Sequence, residues 1–296
     1  MAGAQEYRMF NVRLARKSAV SPSLLRLVFS GAEVSQMKCD APDQRIKMLF
    51  PAEDGTLPSL PAEGQWYQMI LSLPKAQRPV IRTYTLRHVD RERHEVTVEF
   101  VRHGTYGPAS AWAINAQPGD GIQIVAPNAA YKENSGGYEW SPPAGVRNAL
   151  IIADETALPA ARGILELIAG QENQPRVQAF FEVPDAGDCL DLSAFSFAEV
   201  TWLARKPVGA MHGERLMQAI TRHIKLPEKH YHQALREEAE GELLWDRATT
   251  GNLEFYGWVA AESTVVKRLR RYLIGERGVH REAINFMAYW SKGRAL

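Results

Sequence analysis

The hydrophobic pattern changes character once along this chain of 296 residues, near Asn128, and that change constrains the fold more than any single motif. Before it, short apolar runs alternate with polar residues and are separated by Pro, Gly and Asp. They are Tyr7 to Arg16, Leu24 to Phe29, Arg45 to Phe50, Gln68 to Leu73, Val80 to Val89, Glu95 to Arg102 and Gly121 to Ala126. Period-two alternation over these lengths predicts strands, and their dense spacing predicts an antiparallel barrel. One helix is expected within it, over Pro108 to Asn115, directly after Gly107. Beyond the change, apolar runs at Ala149 to Ala153, Val177 to Phe181, Val200 to Ala204 and Leu253 to Val259 alternate with helical patterns. The helical patterns are Ala157 to Ala169, Gly213 to His223 and Ser263 to Leu273. Strands buried on both faces read this way, so a parallel sheet covered by helices is expected. Ligands on such sheets bind at the carboxyl ends of the strands.

The length suits two domains of ordinary size. The expected division is a β-barrel domain over residues 1–128, a linker over 129–147 and an α/β domain over 148–296. The linker is rich in Gly, Pro, Ser and Asn, with Tyr131, Tyr138 and Trp140 as rings that could order it. A polar segment from Pro227 to Gly251 carries His230, His232, Glu237, Glu238 and Glu240. It is expected to be an exposed helix, and its charges a solvated face without chemistry.

Charge and cysteine usage narrow the function. A net charge of +1 argues against a dedicated nucleic-acid binder, whose affinity depends on many neutralised phosphates. The two cysteines, Cys39 and Cys189, form no paired motif, so no zinc site or iron–sulfur cluster is expected. Any redox chemistry then needs an organic cofactor or a metal brought by the substrate. No apolar window approaches the ~20 residues that span a bilayer, and the N-terminus lacks the basic and apolar segments of a secretory signal. The expectation is a cytoplasmic protein.

Two segments carry the chemistry. Arg82-Thr83-Tyr84-Thr85-Leu86-Arg87 lies on an expected strand, so Arg82, Tyr84 and Leu86 share one face while Thr83, Thr85 and Arg87 share the other. Arg offers a forked donor to a pyrophosphate, Tyr a stacking face, and a Thr hydroxyl a hydrogen bond to a ring nitrogen. An ordinary strand with surface arginines is the plainer reading of that motif alone. In Arg102-His103-Gly104-Thr105-Tyr106-Gly107-Pro108-Ala109-Ser110, a glycine turn leads to Pro at a helix start. Free N–H groups there can bind phosphate. Gly107 permits close approach, and Ser110 can add a hydroxyl. Together the two segments favour a dinucleotide flavin.

These residues resemble the siderophore-interacting proteins, flavin-dependent ferric-siderophore reductases of the ferredoxin-reductase superfamily. The resemblance continues in Asp154-Glu155-Thr156-Ala157-Leu158-Pro159-Ala160, in Trp258-Val259-Ala260-Ala261-Glu262 and in the closing Tyr289-Trp290. It implies an FAD held by Arg82 at the pyrophosphate, Tyr84 against the isoalloxazine and Thr85 near its N5 edge. Thr83, Val101, His103, Gly107, Pro108, Ala109 and Ser110 complete that cofactor set, and Trp112 is either core or cofactor wall. Thr156, Ala157 and Trp258 are implied on the nucleotide side, with Thr156 facing the nicotinamide. Asp154 and Glu155 repel phosphate, so this junction is no phosphate cradle. Asp154 alone reads equally as a helix cap.

The electron donor is expected to be NADPH or NADH, with a ferredoxin-type donor as alternative. The substrate is expected to be a ferric siderophore, and the protein a monomer. Arg205 and Lys206 could neutralise a 2′-phosphate or stand as solvated charges. Arg45 and Lys47 on one strand face, and Lys267 and Arg270 on a helix, are candidates to meet an anionic chelate. Ala261 stands where the family has glycine, which could alter nicotinamide access, and Ala111 where it often has arginine. A non-catalytic siderophore binder and a general flavin reductase remain open beside the reductase.

Overall fold

In the computed structural model, which describes residues 4–104, 107–235, 242–249 and 254–293, the first strand pattern runs further than its alternation suggests. Strand β1 spans Tyr7–Ser21, because it serves two partners in succession. Residues Tyr7 to Arg13 pair with β7, Gly121–Pro127, and Arg13 to Ser21 pair with β2, Leu24–Ser30. Register shifts after Leu14 and Ala19 let the long strand bend. With β3 (Arg45–Phe50), β4 (Val80–Thr85), β5 (His88–Asp90) and β6 (Glu95–Val101), these strands form an antiparallel sheet ordered β4-β3-β7-β1-β2-β6-β5.

The sheet curls into a half-barrel. The ring of Tyr84 on edge strand β4 lies 4.3 Å from that of Phe100 on β6, across the sheet. Alternate residues point into the enclosed core: Phe10, Val12 and Leu14 from β1, Ile46, Met48 and Phe50 from β3, Val96, Val98 and Phe100 from β6. Helix α2, Pro108–Asn115, plugs it. Its Trp112 stacks on Phe29 at 6.1 Å and meets Phe50 edge-on at 5.7 Å, so this half-buried ring packs against the core.

Two expectations fail here. Gln68 to Leu73 is not a strand; it lies in helix α1, Trp66–Ser72. Helical spacing puts Trp66 and Ile70 on one side, where they pack with Leu49 and Ile81, and leaves Tyr67, Met69 and Leu71 at least two-fifths exposed. The expected strand from Val80 to Val89 is two. The break comes where Leu86 N–H turns to Gln44 O and Arg87 N–H to Thr97 O.

Residues 129–147 are ordered by their two flanks. Gln44 Nε2 donates to Gly136 O at 2.9 Å, and Arg45 N–H to Gly137 O at 2.8 Å. Gly137 has φ +77°, and a Cβ there would sit 2.0 Å from the Tyr7 hydroxyl, so only glycine fits. Further on, Trp140 packs edge-on to Tyr256 at 5.3 Å. The chain divides into two units at this point, one ending at Tyr138 and one starting at Glu139.

The second unit alternates strands and helices: β8 (Asn148–Asp154), α3 (Leu158–Ala169), β9 (Arg176–Val183), β10 (Ala198–Ala204), α4 (Glu214–His223), β11 (Trp245–Asp246), β12 (Phe255–Glu262), α5 (Ser263–Arg270) and β13 (Ile284–Trp290). The order is β10-β9-β8-β12-β13-β11, parallel except for β11. Along β8, Ala149, Ile151 and Ala153 enter the core beneath α3, while Leu150 and Ile152 enter the core beneath α4 and α5. A strand covered on both faces must be apolar throughout, which is why β8 reads as a continuous run. From β8 the chain builds outward to β10 and then returns to place β12 on the other side of β8. The switch point of this sheet lies between β8 and β12.

Strand β13 has no counterpart among the expected strands. Residues 227–235 form no helix, contrary to expectation, because their contacts are isolated: Tyr231 N–H bonds Gly278 O, and Gln233 Nε2 bonds Val279 O. Thr105, Tyr106, Glu237, Glu238, Glu240 and Leu253 lie outside the described residues.

Candidate functional site

Pairing of β3 with β4 decides which side chains share a face. Met48 lies opposite Arg82 and Ile46 opposite Tyr84, on the core side; Lys47 opposes Thr83 and Arg45 opposes Thr85 on the other. The alternation read from the sequence is realised. Arg82 is therefore a half-buried cation on the core side of a strand. Its Nη1 donates to Ile81 O at 2.8 Å, and among the described residues it forms no ion pair. Tyr84 leans on Phe100, and burial pushes its phenol well above the usual range.

Helix α2 packs on β3, β4 and β6 and starts without a side-chain cap. Gly107 is its N-cap in extended conformation, Pro108 follows at the first turn, and a Cβ on Gly107 would meet nothing within 4 Å. Ser110 behaves differently. Its hydroxyl donates to Gly104 O at 2.7 Å and accepts from His103 N–H at 3.2 Å, so it braces the turn. His103 is exposed, Ala109 is buried, and Val101 ends β6 opposite Leu24. On the outer face, exposed Lys47 donates to Thr83 Oγ1 at 2.6 Å.

In the α/β unit the acids at the end of β8 part company. Glu155 is buried and receives both arms of Arg205, at 2.6 and 2.8 Å. Arg205 also reaches Glu182 at 3.2 Å, and Glu182 in turn accepts from Gly213 N–H and Leu216 N–H at the start of α4. Arg205 is thus a buried tie between strand ends, held by two carboxylates. Lys206 is exposed, 3.5 Å from Asp185. Asp154 accepts from Thr156 N–H, Thr156 Oγ1, Glu262 N–H and Trp290 Nε1. Burial first, and then Glu155, push its carboxyl up to about 7. Glu262 caps α5, accepting from Thr264 N–H and Val265 N–H. Sequence reading assigned no role to this acid; its position just before a helix start was the available signal.

Several candidates move into the core. Trp258 has no exposed surface and meets Tyr289 edge-on at 6.0 Å, so its ring fills the core of the sheet. Ala157 is equally covered. Arg270 is buried and bonds Asp246 at 2.6 Å, which removes it from any chelate site. Lys267 donates to Glu242 O at 3.1 Å. The methyl of Ala261 lies in the core beneath α4 and α5, so it lines no open surface. Thr156 remains half-exposed, alone in the run from Ala149 to Ala161.

Comparison with known proteins agrees with this layout. Residues 13–131 match the family model of a siderophore-interacting FAD-binding domain, and residues 146–293 match that of siderophore-interacting protein. The chain is 26% identical to the ferric vibriobactin reductase ViuB of Vibrio cholerae, over 94% of this chain and 88% of the relative. It is 25% identical to the NADPH-dependent ferric-chelate reductase of Escherichia coli, over 96% and 94%. A crystal structure of a siderophore utilization protein from T. fusca superposes with TM-score 0.72 and 26% identity, covering 98% and 95%. No helix among the described residues is long and apolar enough to cross a membrane.

The residues of the barrel unit fit an FAD. Its diphosphate needs donors without a competing carboxylate, and Arg82 and the uncapped first turn of α2 are donors of that kind. The open space over Gly107 is where such a group can approach the main chain.

Proposed function

The chain belongs to the siderophore-interacting protein family, and on that premise we propose that it is a cytoplasmic, monomeric ferric-siderophore reductase that uses FAD and takes electrons from NADPH or NADH. The observation that carries this reading is Arg82: a half-buried arginine without an ion pair among the described residues, in a unit matching an FAD-binding domain and built around an uncapped helix start. Arg82 and the N–H groups after Gly107 hold the diphosphate. Tyr84 offers its ring to the flavin, and Thr85 its hydroxyl. When bound, FAD converts between a two-electron hydride and single electrons. The barrel unit carries this cofactor, and the α/β unit receives the nucleotide at its switch point, with Thr156 toward the nicotinamide.

The chelate is the substrate. One NAD(P)H supplies two electrons to two ferric chelates, yielding NAD(P)+, a proton and two Fe(II), which hard oxygen donors hold less tightly. Lys47 and Arg45, on the outer face of β3, attract an anionic chelate. They need not ligate iron.

Anaerobic mixing of the FAD-loaded protein with NADPH or NADH, followed by a ferric siderophore and ferrozine, tests the proposal. The expected result is bleaching of the flavin band, then coloured Fe(II)–ferrozine. Bleaching by neither nucleotide replaces the donor with a ferredoxin-type protein. Chelate binding without Fe(II) would make the chain a binding protein instead, and equal rates on free flavin a general flavin reductase.

A further inference from the structure

The switch point of the α/β sheet is organised by a single carboxylate, that of Asp154. Asp154 ends β8, Glu262 ends β12, and Trp290 ends β13; four donors, two from the ends of β12 and β13 and two from Thr156, converge on the Asp154 oxygens. Oδ1 takes the Thr156 main-chain N–H at 2.9 Å and the Thr156 hydroxyl. Oδ2 takes Glu262 N–H at 2.9 Å and the Trp290 indole at 2.7 Å. The charged neighbours do not neutralise it. Glu155 turns to Arg205, and Glu262 turns to the start of α5 and to Lys292 N–H at 3.2 Å. His212, ahead of α4, lies 5.1 Å from the Trp290 ring.

A buried acid with no direct cation among the described residues is a costly way to join three strands, since apolar packing would do so without desolvating a polar group. Its placement at the switch point, where ligands of such sheets bind, argues for a functional return. Thr156 makes that return specific. The hydroxyl proton is committed to Asp154, which leaves the Thr156 oxygen as an acceptor. Trp290 is half-exposed and held by its N–H.

We propose that Asp154 is a positioning residue for the pyridine nucleotide: it fixes the Thr156 oxygen as an acceptor for the nicotinamide carboxamide and the Trp290 indole as an adjoining aromatic wall. This rests on the proposed use of NAD(P)H.

The test compares wild type with Asp154→Asn, Thr156→Val, their combination and Trp290→Phe. In the FAD-loaded protein, Asp154→Asn and Thr156→Val each slow flavin reduction by the nucleotide roughly 10- to 100-fold, the cost of a misplaced reacting group. The double variant is no slower than the worse single one, because Asp154 acts through Thr156. In the flavin-free full chain, affinity for NADP+ or NAD+ falls about tenfold in the same variants, a loss of one hydrogen bond. Dithionite-reduced protein passes electrons to the ferric chelate at the wild-type rate throughout. Asp154→Asn with wild-type flavin reduction and nucleotide affinity overturns the assignment, as do multiplicative losses in the double variant. Equal losses in both half-reactions also overturn it, since they mark a merely structural acid. If Asp154→Asn does not fold, Trp290→Phe decides: it removes one donor, and unchanged nucleotide affinity refutes the positioning role. A wild type indifferent to both nucleotides instead sinks the donor proposed above, which separates the two failures.

Discussion

In the barrel unit, Arg82 sits half-buried without an ion pair among the described residues, on a strand that packs against a helix whose start no side chain caps. In the α/β unit, Arg205 sits buried between Glu155 and Glu182, and the starts of α4 and α5 are occupied by Glu182 and Glu262. Both regions hold an arginine and a helix start, yet only one leaves those donors open. An arginine with its acids inside the protein joins elements; an arginine without them waits for an anion. The same comparison explains why Arg205, plausible in sequence as a 2′-phosphate ligand, is excluded from that role by its own partners.

The largest effect expected from breaking this contrast is on stability. Arg205→Ala leaves two buried carboxylates without their cation and should cost about 3–5 kcal/mol by urea unfolding. A loss below about 1 kcal/mol would place Arg205 with the open arginines. Next comes Asp154. Its folded carboxyl titrates near 7, against an ordinary 3.8, so the native state holds a proton that the unfolded chain has released between these values. Stability should therefore fall by a few kcal/mol as pH rises from 4 to 7 and level off above. Asp154→Asn removes that slope; an unchanged slope assigns it to other groups.

Arg82→Ala sharpens the opposite side. Removing a charge-assisted donor of about 1.5–3 kcal/mol should weaken FAD binding roughly 10- to 150-fold. The melting temperature of the flavin-free chain should stay within about 2 °C, because the internal bond lost, to Ile81 O, is a local one between chain neighbours and no ion pair among the described residues goes with it. Unchanged flavin content after gel filtration would remove Arg82 from the cofactor site. The smallest effect is that of Lys47→Ala. An exposed cation contributes up to about 1 kcal/mol, so KM for an anionic ferric chelate should rise no more than about fivefold, and added salt should shrink the difference.

Much of the architecture was legible because period-two and continuous apolar patterns report directly on one-faced and two-faced burial. Pro108 to Asn115 was read to the residue, since Gly-Pro at its start is a local signal. Gln68 to Leu73 was misread because a short apolar run fits strand and helix alike; the choice fell to the packing of Trp66 and Ile70 on Leu49 and Ile81. Trp258 and Arg270 carried recognisable side chains in recognisable places. Whether a tryptophan lines a ligand site or fills a core depends on what covers it, and its neighbours come from distant strands.

By itself, the sequence determined that a curled antiparallel sheet precedes a parallel one, and that Arg82 and Tyr84 share a face. Those properties follow from the two-residue period of a strand and from its burial, both local. Which charges stay available was decided only by tertiary structure. Arg82 and Arg205 look alike along the chain, but β8, β9 and β10 bring Glu155 and Glu182 to one of them, while the strands around the other bring no acid among the described residues. Pairing depends on distance in space, and a buried charge is defined by its partners.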